Sequence, residues 1–460
     1  MSGAVDADAV AAATSASAWD KVYERKAVAL LAVGFGLVGL DRFILNPLFP
    51  VMAEDLGLDY QDLGLISGIL ALTWGISSVF SGNLADRIGG KRVLITSVLL
   101  FSALVAFSGL AVGLISLLII RGLMGLAEGG FVPASIVETV RASKPSRIGL
   151  NVGLQQMAMP LVGLGLGPLI AVALLSVLPS WEYVFGVVAI PGFIVAWLMS
   201  RVLRDAPSLD QAADEAVQPS AAQRSKPTLF APFAHGNVLF GTIAMIFFIS
   251  CLITLATFMP SYLTDYMQLS MEEMGAVLAV LGGGGVVGMI VIPAISDRFG
   301  RKPVMLGALI IELVMFAVLL ANQASGGPVL TALCLFLISI MNSGVVAIIV
   351  GPLINMSVPA TMAATATGLA VGLGEALGGA VAPAIAGALA NAVGIQSILY
   401  VTFGATAVGF LVVLLGIREP AKLPLPEGEE RRGEPASTPA KGASAKGSAL
   451  RRGGGASAGF

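Results

Sequence analysis

Six charged side chains fall inside long apolar runs: Asp41, Arg42, Arg121, Glu128, Glu312 and Glu375. In hydrocarbon each costs about 2.5–3.5 kcal/mol at a helix centre, so six left unpaired would cost on the order of 15 kcal/mol. They must pair, protonate or face a water-filled cavity. Asp41 and Arg42 belong to GLDRFILNP (39–47), where Asn46-Pro47 can loosen the helix beside them. Adjacent helical residues point about 100° apart. One of the two can therefore face a cavity while the other pairs with a neighbouring helix; a simple Asp–Arg lock between helices is the alternative. Arg121 and Glu128 belong to RGLMGLAEGGFVPA (121–134). Their spacing of seven places them on one helix face, about 10 Å apart along the axis. Gly122, Gly125, Gly129 and Gly130 leave room beside them. An Arg fixed in a cavity can hold a carboxylate bidentately, and a desolvated Glu can gain or lose a proton. Arg for an anion and acid for a proton is the simplest way to couple the two, against a purely structural ion pair.

Other candidates are more ambiguous. Glu375, in VGLGEALGGAVAPAIAG (371–387), would bind a cation, a proton or a polar substrate group, or would satisfy the backbone of a Gly-broken helix. Glu312 stands alone in segment 9, the third helix of its half; third helices tend to be peripheral, which favours a structural role over a functional one. Trp74, Tyr262 and Asn342 are expected near a cavity, with Trp181 as an interfacial anchor. GLGLGP (163–168) and Gly282 to Gly285 are flat surfaces for close helix packing. One histidine, His235, and two cysteines in apolar stretches, Cys251 and Cys334, exclude Ser–His chemistry, multi-His sites and a disulfide scaffold. No GxxxxGK[ST] loop is present to bind a nucleotide. No metal or cofactor is expected; a proton gradient would be the energy source.

The elements that must position these residues follow from composition. The chain has 460 residues, 56% hydrophobic and 12% charged, against about 25% charged in soluble domains. A net charge of −2 gives no argument for a nucleic-acid partner. Twelve apolar segments of spanning length are expected at 27–53, 61–84, 93–113, 114–140, 148–178, 181–200, 238–264, 274–295, 303–322, 328–354, 362–391 and 395–417. The polar stretch 201–237 is a linker between segments 1–6 (27–200) and 7–12 (238–418). Residues 1–26 form an N-terminal tail without a cleavable leader pattern, and 419–460 a disordered one. Of 26 Lys and Arg, all but Arg42 and Arg121 fall in the tails and in connections 2–3, 4–5, 6–7 and 8–9. The other connections hold acids, among them Glu54, Asp55, Asp265 and Glu272. By the positive-inside rule both termini are cytoplasmic.

The two halves repeat. GNLADRIGGKR (82–92) and PAISDRFGRKP (293–303) each place Asp-Arg-x-Gly and basic residues after the second segment of a half. Two parallel six-helix repeats enclosing a midplane site form a transporter architecture. These turns, with Gly82, Asp86, Arg87, Gly89 and Arg92 in one and Asp297 and Arg298 in the other, are expected to switch conformation rather than bind substrate.

Over residues 25–418 the chain resembles the major facilitator superfamily, through both loop copies and through Arg121 followed by Gly125. Within it, Asp41-Arg42, Arg121 with Glu128 and Gly-Gly-Phe-x-Pro, FMPSYL (258–263) and the Gly-rich segment 11 are similar to the anion:cation symporter family. The resemblance implies a twelve-helix, all-α membrane protein in two pseudo-symmetric bundles, monomeric, in the inner membrane. It implies Arg42 and Arg121 as anion ligands, Asp41 and Glu128 as proton carriers, and Asp86 with its loop as the switch. Family members often have Asn where Glu375 stands and Tyr where Trp74 stands, so this pocket would differ. The expected activity is proton-coupled symport of a small organic anion such as a carboxylate or sugar acid. The rival is proton-coupled export of a lysolipid or drug, as in the similar Spinster-type carriers; it expects a large, apolar, laterally open cavity and Arg42 or Arg121 tied in an ion pair. An enzyme or a membrane sensor lacks its parts.

Overall fold

The computed structural model describes residues 20–204 and 230–420, without the side chains of 80–87, 323, 324, 360, 361 and 364. Twelve helices there are long and apolar enough to cross a membrane. They are α1 (Lys21–Leu56), α2 (Tyr60–Ile88), α3 (Gly90–Ser108), α4 (Leu114–Ala142), α5 (Pro145–Val177) and α6 (Trp181–Val202). Then follow α7 (Gly236–Tyr266), α8 (Met271–Phe299), α9 (Arg301–Asn322), α10 (Gly327–Leu353), α11 (Thr365–Val393) and α12 (Ser397–Gly416). Among the described residues there is no strand. With no water to satisfy it, backbone in a bilayer must close its own hydrogen bonds, which leaves helices as the solution for these segments.

Helix ends follow local chemistry. Asp20 caps α1, its Oδ1 accepting from the Val22 and Tyr23 amides at 3.0 Å each. Its carboxyl is held below the usual 3.8, chiefly by the Tyr23 amide and then by Arg204, which donates to Oδ2 at 2.6 Å. Ser270 and Glu273 form a reciprocal capping box on α8.

Several helices are interrupted where Pro or Gly weakens the ladder. Helix α1 breaks at Ile44, between Lys21–Phe43 and Leu45–Leu56, next to Pro47, which has no N–H to donate. Wider π-type turns occur at Pro160–Leu166 in α5, Tyr262–Tyr266 in α7, Ile349–Leu353 in α10 and Gly374–Gly379 in α11. Such turns re-aim side chains within a continuous helix.

The first six helices meet the last six from the ends that carry the acids of the connections to about mid-helix. Helix α2 packs along α11, and a Cβ on Gly64, Gly68 or Gly75 would press into the backbone of Pro383, Ala380 or Gly372. Helix α5 crosses α8 at the two small-residue surfaces, Gly282 against Leu164 and Gly165. Both are the close backbone approaches that glycine permits between membrane helices. Three polar contacts add to the closure. Asn46 donates to the Ala256 carbonyl at 2.8 Å, the Tyr60 hydroxyl to Asp265 at 2.8 Å, and the Tyr60 amide to Asn391 at 3.1 Å. Towards the basic ends, Gly149 and Gly153 of α5, Gly351 of α10 and Gly368 of α11 face open space.

The repeated turn has the same backbone twice. Gly89 (φ 91°) and Gly300 (φ 94°) occupy the equivalent position after Asp-Arg-x, in a region that L side chains avoid. In the second copy Asp297 pairs with Arg301 at 2.5 Å, and Glu419 accepts the Arg301 and Lys302 amides at 2.6 and 2.7 Å. Arg298 and Arg92 are exposed. The side chains of Asp86 and Arg87, and the surroundings of Gly82, lie outside the described residues.

Candidate functional site

The break in α1 builds the centre of the site. Arg121 reaches it from α4 and donates Nη1 to the Asp41 carbonyl at 3.0 Å and the Arg42 carbonyl at 3.3 Å. The side chain is 2% exposed. Its Nε and Nη2 have no hydrogen-bond partner. These two N–H groups form one edge of the guanidinium plane, the edge that grips a carboxylate with two parallel bonds. Glu128 lies fully buried two turns further along α4, and neither of its carboxylate oxygens has a partner. Asp41 is 2% exposed with Oδ1 unpartnered. Two acids and one half-used arginine therefore share a buried centre. An ionised carboxylate without a hydrogen bond costs several kcal/mol there, and a proton removes that cost.

Arg42 and Glu375, both expected as substrate contacts, meet each other. Arg42 Nη2 donates to Glu375 Oε2 at 2.6 Å, joining α1 to the π-type turn of α11. The guanidinium lies 5.4 Å from the Trp74 ring centre and 5.5 Å from that of Phe43, the distance of a cation–π contact. Arg42 is thus neutralised in this conformation, as the exporter alternative expected of one arginine. The cleft between Arg42 and Arg121 is nearly closed in this conformation, with about 10 Å3 of free space, room for about one water molecule. Asn46, Ser67 and Thr257 contribute polar groups to it, and Ile66, Leu70 and Ile253 apolar walls.

Four residues stand elsewhere than expected. Asn342 is buried in the second half and donates to Glu312 at 3.2 Å, rather than lining the cleft with Arg42. Tyr262 is 1% exposed, packed in the apolar core with its ring 5.2 Å from that of Tyr266. Glu312 is not peripheral: it is fully buried, because α9 turns this face towards α7, α10 and α12. Trp181 is likewise no interfacial anchor. It is 2% exposed and donates to Asp55 at 2.8 Å. Among the described residues no group of three or more His, Cys, Asp and Glu could hold a metal ion.

Twelve spans, a repeated turn and a charged centre between the halves define a membrane transport protein. The sequence model of the Major Facilitator Superfamily matches residues 31–379, and the chain belongs to that superfamily. It is a transporter, not an enzyme. It is 30% identical over 311 residues to a hexuronate transporter of Bacillus subtilis, covering 65% of this chain and 73% of that protein. It is 24% identical over 346 residues to the sialic acid transporter NanX of Escherichia coli, covering 73% and 80%. A protein named for multidrug resistance in Escherichia coli is 27% identical over 235 residues, covering 48% and 49%. Among solved structures, a bacterial homologue of the lysosomal transporter Spinster, inward-facing and unoccupied, superposes with a TM-score of 0.67 at 16% identity, covering 86% of this chain and 96% of that one. That likeness concerns the fold.

Proposed function

We propose that this transporter is a proton-coupled symporter of a small organic anion, a carboxylate or sugar acid, in a bacterial inner membrane. The observation that carries the reading is Arg121: one nitrogen is tied to the α1 carbonyls and the Nε–Nη2 edge is left without a partner. A substrate carboxylate fits that edge. Glu128, with both carboxylate oxygens unpartnered, and Asp41, with Oδ1 unpartnered, supply the acids that take up protons as the anion enters. A bound anion and a bound proton cancel, so the loaded site crosses the dry centre at lower electrostatic cost than either alone. The named substrates of the hexuronate and sialic acid carriers are carboxylates, which supports the class.

The ends that carry Lys and Arg face the cytoplasm in this reading, with both termini inside. The closed acidic ends then face outward, and the conformation is inward-facing. The Arg42–Glu375 pair acts as an inner part of the outward gate, broken when the α2–α11 contact opens. The protein works as a monomer, and the proton gradient is its only energy source.

The test is substrate-triggered proton movement in proteoliposomes, with hexuronates, sialic acid, aromatic carboxylates and short dicarboxylates. Co-entry of protons with one of these acids, abolished by Arg121→Ala, is the expected result. Proton movement with lysolipids or cationic drugs and with none of the acids would overturn it in favour of the exporter, the reading that the Arg42–Glu375 pair and the multidrug-named relative favour.

A further inference from the structure

Glu312 lies outside the centre just described. It projects from α9 into a pocket closed by three other helices of the second half. Its Oε1 accepts three hydrogen bonds: from Thr406 of α12 at 3.0 Å, from Asn342 of α10 at 3.2 Å and from Cys251 of α7 at 3.6 Å. Its Oε2 has no partner, and neither has Oδ1 of Asn342, the same amide that donates to Oε1. Glu312 enters no ion pair among the described residues. The titratable groups on the elements packed around it are few. Helix α7 offers Cys251, in contact, with Tyr262, Asp265 and Tyr266 at its far end. Helix α10 offers Cys334, about two turns from Asn342. Helix α12 offers Tyr400, and α8 carries its charges, Glu272, Glu273, Asp297 and Arg298, only near its ends.

The two orphan atoms are both acceptors, and they belong to a carboxyl and an amide already joined by one hydrogen bond. A carboxylic acid and a primary amide form a two-bond ring: amide N–H to acid carbonyl, acid O–H to amide carbonyl. The first bond is present. One proton on Oε2 converts an orphan acceptor into a donor and supplies the second. It also removes a buried charge that three neutral donors, all on one oxygen, leave without a counterion.

We propose that Glu312 is a second proton-binding site, sealed inside the second half, whose proton bridges Oε2 to Asn342 Oδ1 and ties α9 to α10. The site is separate from Asp41 and Glu128 and stands whichever substrate the central cleft takes. Its helix neighbour Cys251 lies on α7 just before Ile253 and Thr257, which line that cleft, so the state of Glu312 reaches the cleft through α7.

Infrared spectroscopy on the purified full-length protein in nanodiscs tests this directly. The wild type at neutral pH should show a carboxylic C=O band, shifted in heavy water, that is lost in Glu312→Gln. In Asn342→Ala the band should remain but shift, because its O–H has lost its acceptor. Glu312→Gln keeps the Oε1 acceptor and replaces O–H with N–H, so thermal unfolding should be unchanged, and acid–base titration should count one bound proton fewer. A spectrum with no band assignable to Glu312 at neutral pH would overturn the proposal. So would a band that disappears on adding sodium or potassium at constant pH, which would make the pocket a metal-cation site. The wild-type spectrum decides the matter even if a variant fails to fold. Loss of anion uptake in the proteoliposome assay would leave this result untouched, so the two failures are distinguishable.

Discussion

At the scale of single residues, the centre depends on what Arg121 leaves unused. Lysine carries the charge but not the planar edge, so Arg121→Lys should lower anion uptake about 10- to 100-fold, as the loss of a charged hydrogen bond worth about 1.5–3 kcal/mol implies. Initial uptake rates against substrate concentration check it. Glu128→Gln should uncouple rather than disable: substrate counterflow continues while accumulation against a gradient is lost. The Arg42–Glu375 pair belongs to the same scale. Removing one partner strands a buried charge, at a cost of about 3–5 kcal/mol, so Glu375→Gln should destabilise the detergent-purified protein more than the double variant R42Q/E375Q. Thermal unfolding of the four members of that cycle measures the coupling. The sequence made part of this legible. Arg121 and Glu128 are seven apart on one helix, and helical geometry alone puts them on one face. The partner of Arg42 is 333 residues away, and no local pattern sets the register of two helices from different halves. The neighbours of Glu312 were out of reach of the sequence for the same reason. A helix placed at the rim still turns one face inward, and its three donors come from three other helices.

At the scale of elements, glycine surfaces and proline breaks shape the moving parts. Gly282 of α8 lies against the α5 backbone, whereas a Cβ on its neighbour Gly283 would meet open space. Gly282→Leu should hold the acidic ends apart, which spin-label distances between α5 and α8 would register as a longer population, with transport reduced more than tenfold. Gly283→Leu should leave both unchanged. The start of α1 gives a pH-dependent counterpart. The Asp20 carboxyl titrates below 3.8 in the folded chain, so its contribution is complete above that value and is lost as pH falls through the folded value. Asp20→Ala should therefore lower the unfolding temperature at neutral pH, and the difference from wild type should narrow as the medium is acidified below 3.8. Both glycine runs read from the sequence as packing surfaces, and Asn46-Pro47 as a weak point. Which run meets which is a property of the assembled halves, beyond what one segment's periodicity contains.

For the whole molecule, composition and charge placement carried the most. Spans of about 20 apolar residues and connections sorted by Lys and Arg give twelve crossings without any tertiary information. The Asp-Arg-x-Gly turns add the repeat, and the matching φ angles of Gly89 and Gly300 give it the same backbone shape in both halves. What the halves enclose was less readable, because a cleft is made of faces and not of segments. The Arg42–Glu375 pair also has an electrical meaning. A membrane potential does work of about 2.3 kcal/mol per elementary charge per 100 mV. Arg42 and Glu375 sit 2.6 Å apart with opposite sign, so the field pulls on the closed pair as a short dipole and not as a net charge. Voltage then acts mainly on the cargo. One monovalent anion with one proton is uncharged, and its uptake should continue unchanged when the potential is clamped to zero with valinomycin and potassium, whereas a second proton would make the same uptake accelerate as the interior is made negative.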